Sequence, residues 1–153
     1  MDERTHLLTD LDQTRQRMRN PIEGLDFHKE IYPGWTLKEV LAHITGWDDA
    51  TISSLHAHLA DDVPATPASR GINYYNAQTV AERDSLPFDL IKKEWEKSRD
   101  LLKSIVMTMP DHKFKKPLVF PWGQSGTITD IIHIFTEHEE EHAHEIERLI
   151  HNK

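Results

Sequence analysis

The chain has 153 residues, 37% hydrophobic and 29% charged, which suits one ordinary folded domain and not a disordered segment. It has no cysteine, so disulfides, thiolate zinc sites and a cysteine nucleophile are excluded and any metal must be held by His, Asp or Glu. A net charge of −8 with His neutral makes nucleic acid a poor partner. No apolar run approaches the ~18 residues of a membrane span. The opening "MDERTHLLTD" lacks the basic flank and apolar core of a signal peptide, so a cytoplasmic protein without a membrane partner is expected.

The first element is a helix from Met1 to about Arg19, with Leu7, Leu8, Leu11 and Met18 on one stripe and Pro21 ending it. "GLDFHKEIYPGW" reads as a loop closed by Pro33-Gly34. Thr36 and Glu39 form a capping box that opens a long helix, "TLKEVLAHITGWDDATISSLHAHLADD". "VPATPASRGI" is a Pro- and Ala-rich connection, and "NYYNAQTVAERD" a shorter helix. Ser85, with Pro87 just inside, starts "SLPFDLIKKEWEKSRDLLKSIVMTM", which Pro110 stops. "DHKFKKPLVFPWGQSG" is an irregular crossing whose "PLVF" is too short to found a sheet. Thr127 and Asp130 resemble a second capping box before the last helix. No stretch alternates convincingly. These elements predict an all-α four-helix bundle with an additional short helix and long loops, one domain over residues 1–153.

The last helix raises the functional question. "TEHEEEHAHEIERL" is among the most charged stretches of the chain, yet it is flanked by core-spaced apolar residues. At about 100° per residue, Ile128, Ile131, Ile132, Phe135, Ile146, Leu149 and Ile150 share one stripe. His138 and His142 fall on that stripe; His133, His144 and His151 fall on the wet face. Two imidazoles four residues apart stack on one face with Cβ atoms about 5–6 Å apart, from which both can reach one metal. A third ligand must come from another helix. On the second helix His43 lies at the edge of the apolar stripe, one turn before Trp47. His58 is a similar edge position near the helix end, and His56 points away. Phase favours His43 over His56 without deciding against His58.

"GWTLKEVLAHITGWDDATI" resembles the signature W-[ST]-x-x-[DE]-x-x-x-H-x-x-x-W of the DinB-like (YfiT-like) superfamily, and "TEHEEEHAHEI" resembles its last-helix signature H-x-x-x-H-x-x-x-I. "NYYNAQTVAERDSLPFDLIKKEWEKS" is similar to the middle segment of the ClbS/DfsB branch, with Asn76-Ala77, Val80 and Arg83-Asp84 before a new helix. The resemblance runs in order from about residue 5 to 150. It implies a four-helix bundle in which His43, His138 and His142 bind a divalent metal ion, commonly nickel or zinc. Where other branches read R-G-Q after the second histidine, this chain has Ala143-His144-Glu145, which argues against carrying over the chemistry of the bacillithiol and mycothiol transferases.

Three neutral imidazoles leave a fourth position for water or substrate, the arrangement of a catalytic site. Glu145 and Asp48 are the candidate catalytic residues, placed to orient a ligand or relay a proton. Glu139 reads as a solvated helix carboxylate. Tyr74, Tyr75, Trp95 and Trp122 are candidates to line a pocket, and "HKFKKP" to attract an anionic substrate, though packing and a solvated loop are the plainer roles. The expected function is that of a metal-dependent hydrolase or detoxifying enzyme acting on a small electrophile. The alternatives are a low-molecular-weight-thiol S-transferase and a non-catalytic, stress-related metal-binding protein. The expected partner is a small-molecule substrate, with self-association into a homodimer left open.

Overall fold

Four long helices carry the chain: α1 (Glu3–Glu23), α2 (Leu37–Ala60), α4 (Phe88–Thr108) and α6 (Ile128–His151). Between them stand the shorter α3 (Ile72–Glu82), the single turn α5 (Asp111–Phe114) and two small antiparallel hairpins, β1–β2 (Glu30–Tyr32 with Trp35–Thr36) and β3–β4 (Leu118–Val119 with Ser125–Gly126). The computed structural model describes residues 2–151, and the His151 side chain lies outside that description. None of the described helices is long and apolar enough to cross a membrane.

Local chemistry sets the element boundaries. The Glu39 carboxylate accepts from the Thr36 backbone N–H at 3.3 Å, completing the first capping box. Thr127 and Asp130 exchange the equivalent bonds, at 3.0 and 3.2 Å, at the start of α6. Pro21 does not end α1. It lies inside the last turn, and the helix continues because Ile22 is drawn into the core. Pro87 is the cap of α4 rather than its first residue. The expected loops around Pro33-Gly34 and "PLVFPWGQSG" each fold into a hairpin, with Gly34 and Gly123 supplying the positive φ of their turns.

Contacts fix the helix directions. Glu3, Arg15 and Arg17 of α1 meet Thr129, Glu139 and Glu147 of α6 in rising order, so these helices are parallel. Arg4, Asp12 and Arg19 meet Val106, Lys103 and Glu96 in falling order, so α1 and α4 are antiparallel. His43 faces His138 and Trp47 faces Phe135, so α2 opposes α6. It follows that α2 and α4 are parallel. A chain leaving a 24-residue helix, about 36 Å long, must then return along the bundle before starting α4. Residues 61–87 make that return and lay α3 against α2. Gly46 permits the close approach: a Cβ there would overlap the Thr79 side chain, and the Tyr75 hydroxyl donates to the Gly46 carbonyl at 2.6 Å.

The apolar core is divided in two. One part gathers Leu7, Leu11, Trp47, Leu102, Ile131 and Phe135; the other gathers Met18, Leu41, Ile44, Trp95, Ala143 and Ile146. Between them lies a layer with one charged residue from each long helix: Arg15, Asp48, Arg99 and Glu139, all 1–2% exposed. Arg15 bonds Glu139 at 3.0 Å and Asp48 at 3.1 Å; Arg99 bonds Glu139 at 2.7 Å and Asp48 at 3.3 Å. Ser98 donates to Asp48 at 3.0 Å, and the Arg15 guanidinium lies 4.2 Å over the Trp95 ring. Glu139 is thus not the solvated carboxylate the sequence suggested. Burial raises its pKa, but Arg99 and Arg15 outweigh that and hold it below the ordinary carboxylate value.

Candidate metal centre

α2 and α6 bring His43, His138 and His142 together just outside the charged layer. The four-residue spacing stacks His138 and His142 on one face of α6, with ring centroids 4.4 Å apart, and the antiparallel α2 aims His43 at both. All three present Nε2. His138 Nε2 lies 3.3 Å from that of His43 and 3.0 Å from that of His142.

Protons alone cannot satisfy this arrangement. A neutral imidazole nitrogen carries either one hydrogen or one in-plane lone pair, so His138 Nε2 serves one neighbour and not both. A cation at the common point removes the conflict. Nitrogens bound at about 2.0–2.1 Å in a tetrahedral shell stand about 3.3–3.4 Å from one another, close to the spacing found here. Protonation is also opposed. Burial, followed by His138 and His142, pushes His43 down to about 3; burial, followed by His138, pushes His142 down to about 3. Burial lowers His138 too, against the opposing pull of Glu141 and Glu139. The donor set therefore stays neutral at physiological pH, the form a metal requires.

The first hairpin supplies what the sequence reading missed. Tyr32, half-buried, places its hydroxyl 2.8 Å from His142 Nδ1, and Trp35 packs its ring 5.2 Å from that of His43. With His142 Nε2 turned to the cluster, Nδ1 is the nitrogen left to bond Tyr32; a His142 bound to metal through Nε2 would carry its hydrogen on Nδ1 and donate it to the Tyr32 oxygen. Burial, then the charges of Glu145 and Glu141, pushes the Tyr32 phenol up to about 12, so it keeps its proton. The available signal was Pro33-Gly34 between two aromatic residues, a turn that forces both side chains toward the same helix pair.

The other candidates fall elsewhere. Glu145 bonds Arg148 at 3.3 Å and, among the described residues, makes no hydrogen bond to the three clustered histidines, although its charge is felt at Tyr32. Asp48 turns its carboxylate into the charged layer, away from the imidazoles. His56, His133 and His144 are exposed, and His58 bonds the Lys113 carbonyl at 2.7 Å, fifteen residues along α2 from His43. Lys113 of "HKFKKP" is buried against Asp61, and Phe114 joins the core.

Two spaces open onto the histidines. An outer cleft of about 460 Å³ is bounded by Tyr32, Trp35, Asn73, Asn76 and Ala77. A smaller cavity of about 180 Å³ runs along the α2–α6 groove, walled by Trp47, Ile72, Asn76, Trp122, Ile134 and Phe135. Of the four aromatic residues expected at a pocket, only Trp122 lines it. Tyr75 and Trp95 are core residues, and Tyr74 is half-exposed on the surface.

Comparison with known proteins agrees with this architecture. Residues 10–146 match the family model described as the DinB superfamily. No curated protein matches the sequence. The mycothiol-dependent maleylpyruvate isomerase superposes with a TM-score of 0.77 at 15% identity, and a mutant of it with 0.79 at 12%. Each match covers 95% of this chain but only 61% of the isomerase chain. YfiT from Bacillus subtilis, described as "a probable metal-dependent hydrolase with an unusual four-helix bundle topology", superposes with a TM-score of 0.74 at 14% identity, covering 99% of this chain and 89% of its own. At these identities the likeness is one of fold.

Proposed function

Because this chain belongs to the DinB superfamily, we propose that His43, His138 and His142 hold one divalent cation, nickel or zinc, and that the protein is a metal-dependent hydrolase or detoxifying enzyme acting on a small electrophile. The observation that carries this reading is the meeting of three neutral imidazoles, with His138 Nε2 3.3 Å from that of His43 and 3.0 Å from that of His142 and all three donor atoms within 4.8 Å of one another, beside an open cleft. When bound, a divalent metal would be held by these three imidazoles and would supply a Lewis acid beside that cleft.

The chain's own residues do the rest. Tyr32 orients His142 and holds a proton at the edge of the cleft. Trp35 packs on His43 and keeps water from its ring. The two arginines of the buried layer neutralise Glu139, so the carboxylate next to His138 in the chain does not compete as a ligand. Glu145, at the rim, tunes Tyr32 through its charge. The stretch with Asn76-Ala77, Val80 and Arg83-Asp84, which begins in α3 and runs past its end, favours the ClbS/DfsB branch of the superfamily.

A second reading, a low-molecular-weight-thiol S-transferase, draws support from the fold shared with the mycothiol-dependent isomerase. Ala143-His144-Glu145 stands against it. Elemental analysis of the purified protein and of His43→Ala, His138→Ala and His142→Ala tests the site; about one metal per chain is expected in the parent and none in the variants. Turnover of ester, amide, epoxide and strained-ring panels, with and without thiols, separates hydrolase from transferase. Metal without turnover in any panel would assign a non-catalytic, stress-related metal-binding protein.

A further inference from the structure

The cavity beside the histidines narrows the substrate class, on the reading that those histidines form the reacting centre. We propose that the site takes a neutral aryl carbonyl compound, with its ring between Trp47, Trp122 and Phe135 and its carbonyl oxygen at Nδ2 of Asn76.

The size fits one ring. A dry apolar cavity of about 150 Å³ holds benzene, and this one measures about 180 Å³. Its walls have the right shape. Trp47 meets Trp122 at 5.9 Å and 69°, and Phe135 at 6.3 Å and 63°. Such edge-to-face packing sets the three rings at steep angles around one space, where a stacked pile would leave no room. Ile72 and Ile134, 54% and 44% exposed, flank the opening. Neither fills the core, and both extend the apolar wall outward, as at a ligand mouth.

Asn76 supplies the polar end. The Trp47 indole N–H donates to Asn76 Oδ1 at 2.7 Å, which fixes the amide orientation. Asn76 also stands in hydrogen-bond reach of His43, and Nδ2, with two hydrogens, keeps one for an incoming acceptor. Asn76 borders both the ring cavity and the outer cleft, and so sits where the two meet at His43 and His138. An oxygen accepted there lies next to the imidazoles while the ring stays in the cavity. No lysine or arginine lines either space, so a carboxylate finds no cationic partner in the protein.

The test is a ligand-observed NMR titration of the metal-free full-length protein with acetophenone, toluene and benzoate. Acetophenone is expected to bind about 10-fold more tightly than toluene, the worth of one hydrogen bond, and more tightly than benzoate. Asn76→Asp keeps the acceptor for Trp47 but removes the donor, and should erase the preference for acetophenone over toluene. Trp122→Ala, at a partly exposed position, should weaken acetophenone and toluene alike, by about 3-fold or more. Circular dichroism confirms that both variants fold. A preference that survives Asn76→Asp overturns the oxygen site, and absence of saturable aryl binding, or binding indifferent to Trp122→Ala, overturns the ring site. Since no metal is present, failure here is separable from failure of the metal reading, which elemental analysis alone decides.

Discussion

Two buried polar clusters stand side by side on α6, and adjacent residues belong to each. Glu139 closes a layer of two cations and two anions in which every carboxylate is shared between guanidinium groups and the side chains are 1–3% exposed. His138 belongs to a set of three imidazoles whose nitrogens oppose one another, with a buried His43 Nδ1 left unpartnered and two spaces opening onto the rings. The charges balance in the first cluster and water is excluded, leaving the Arg99 Nε–H as its one group without a partner among the described residues. The second is unsatisfied and accessible. A core tolerates unmet polar groups only at a cost, and here the deficit coincides with an entrance. Burial of polar residues alone would not have told these clusters apart; the difference lies in whether their partners are already present.

The largest expected effect breaks the closed cluster. Glu139→Ala leaves Arg15 and Arg99 buried with only Asp48 between them, and should cost about 3–5 kcal/mol of stability, read from urea or thermal unfolding. Leu replacements of all four residues together should cost far less, since they leave no charge unpaired.

The next effect belongs to the open cluster. At about 100 to 1,000 times the dissociation constant, free zinc or nickel should stabilise the parent by about 2.7–4.1 kcal/mol. His142→Ala should lose that gain while retaining its helix content, because the site does not hold the metal-free fold together.

Acid should separate the clusters by the pH at which each fails. His43 and His142 take up protons in the unfolded chain near 6.5 but in the folded chain only near 3, so metal-free stability is expected to fall as pH drops below about 6.5. Glu139 has a depressed folded pKa, so its contribution is present above the ordinary carboxylate range and is lost only as pH falls through and below it. The triple variant His43→Ala, His138→Ala, His142→Ala should lose the upper limb of the melting-temperature profile and keep the lower. Metal-loaded protein should fall more steeply than metal-free protein between pH 7 and 5, because protons then also displace the metal.

The smallest effect is at the orienting residue. Tyr32→Phe removes the partner of His142 Nδ1 and should weaken metal binding by about 10-fold, measured by competition with a chelator, with little change in metal-free stability. An unchanged affinity would make the hairpin a packing element only.

The helices, their caps and the shared face of His138 and His142 were legible in the sequence because each depends on neighbours within about four residues. His43 was legible as an edge position and through the resemblance of its motif. Glu139 could have been read, since its phase falls between Phe135 and His142 on the buried stripe, but its charge argued for solvent and the two arginines that reverse that argument lie on other helices. Tyr32 and Trp35 had only the Pro33-Gly34 turn between them as a local signal, and Asn76 has no local signature of function. Their place at the site follows from the hairpin turn at Pro33-Gly34 and from the return of α3 along α2, with Gly46 allowing the close packing. Sequence by itself determined the helices and which face of each is buried, because those follow from short-range periodicity. Only the tertiary structure decided which buried polar groups find partners, because pairing across helices depends on their direction and register.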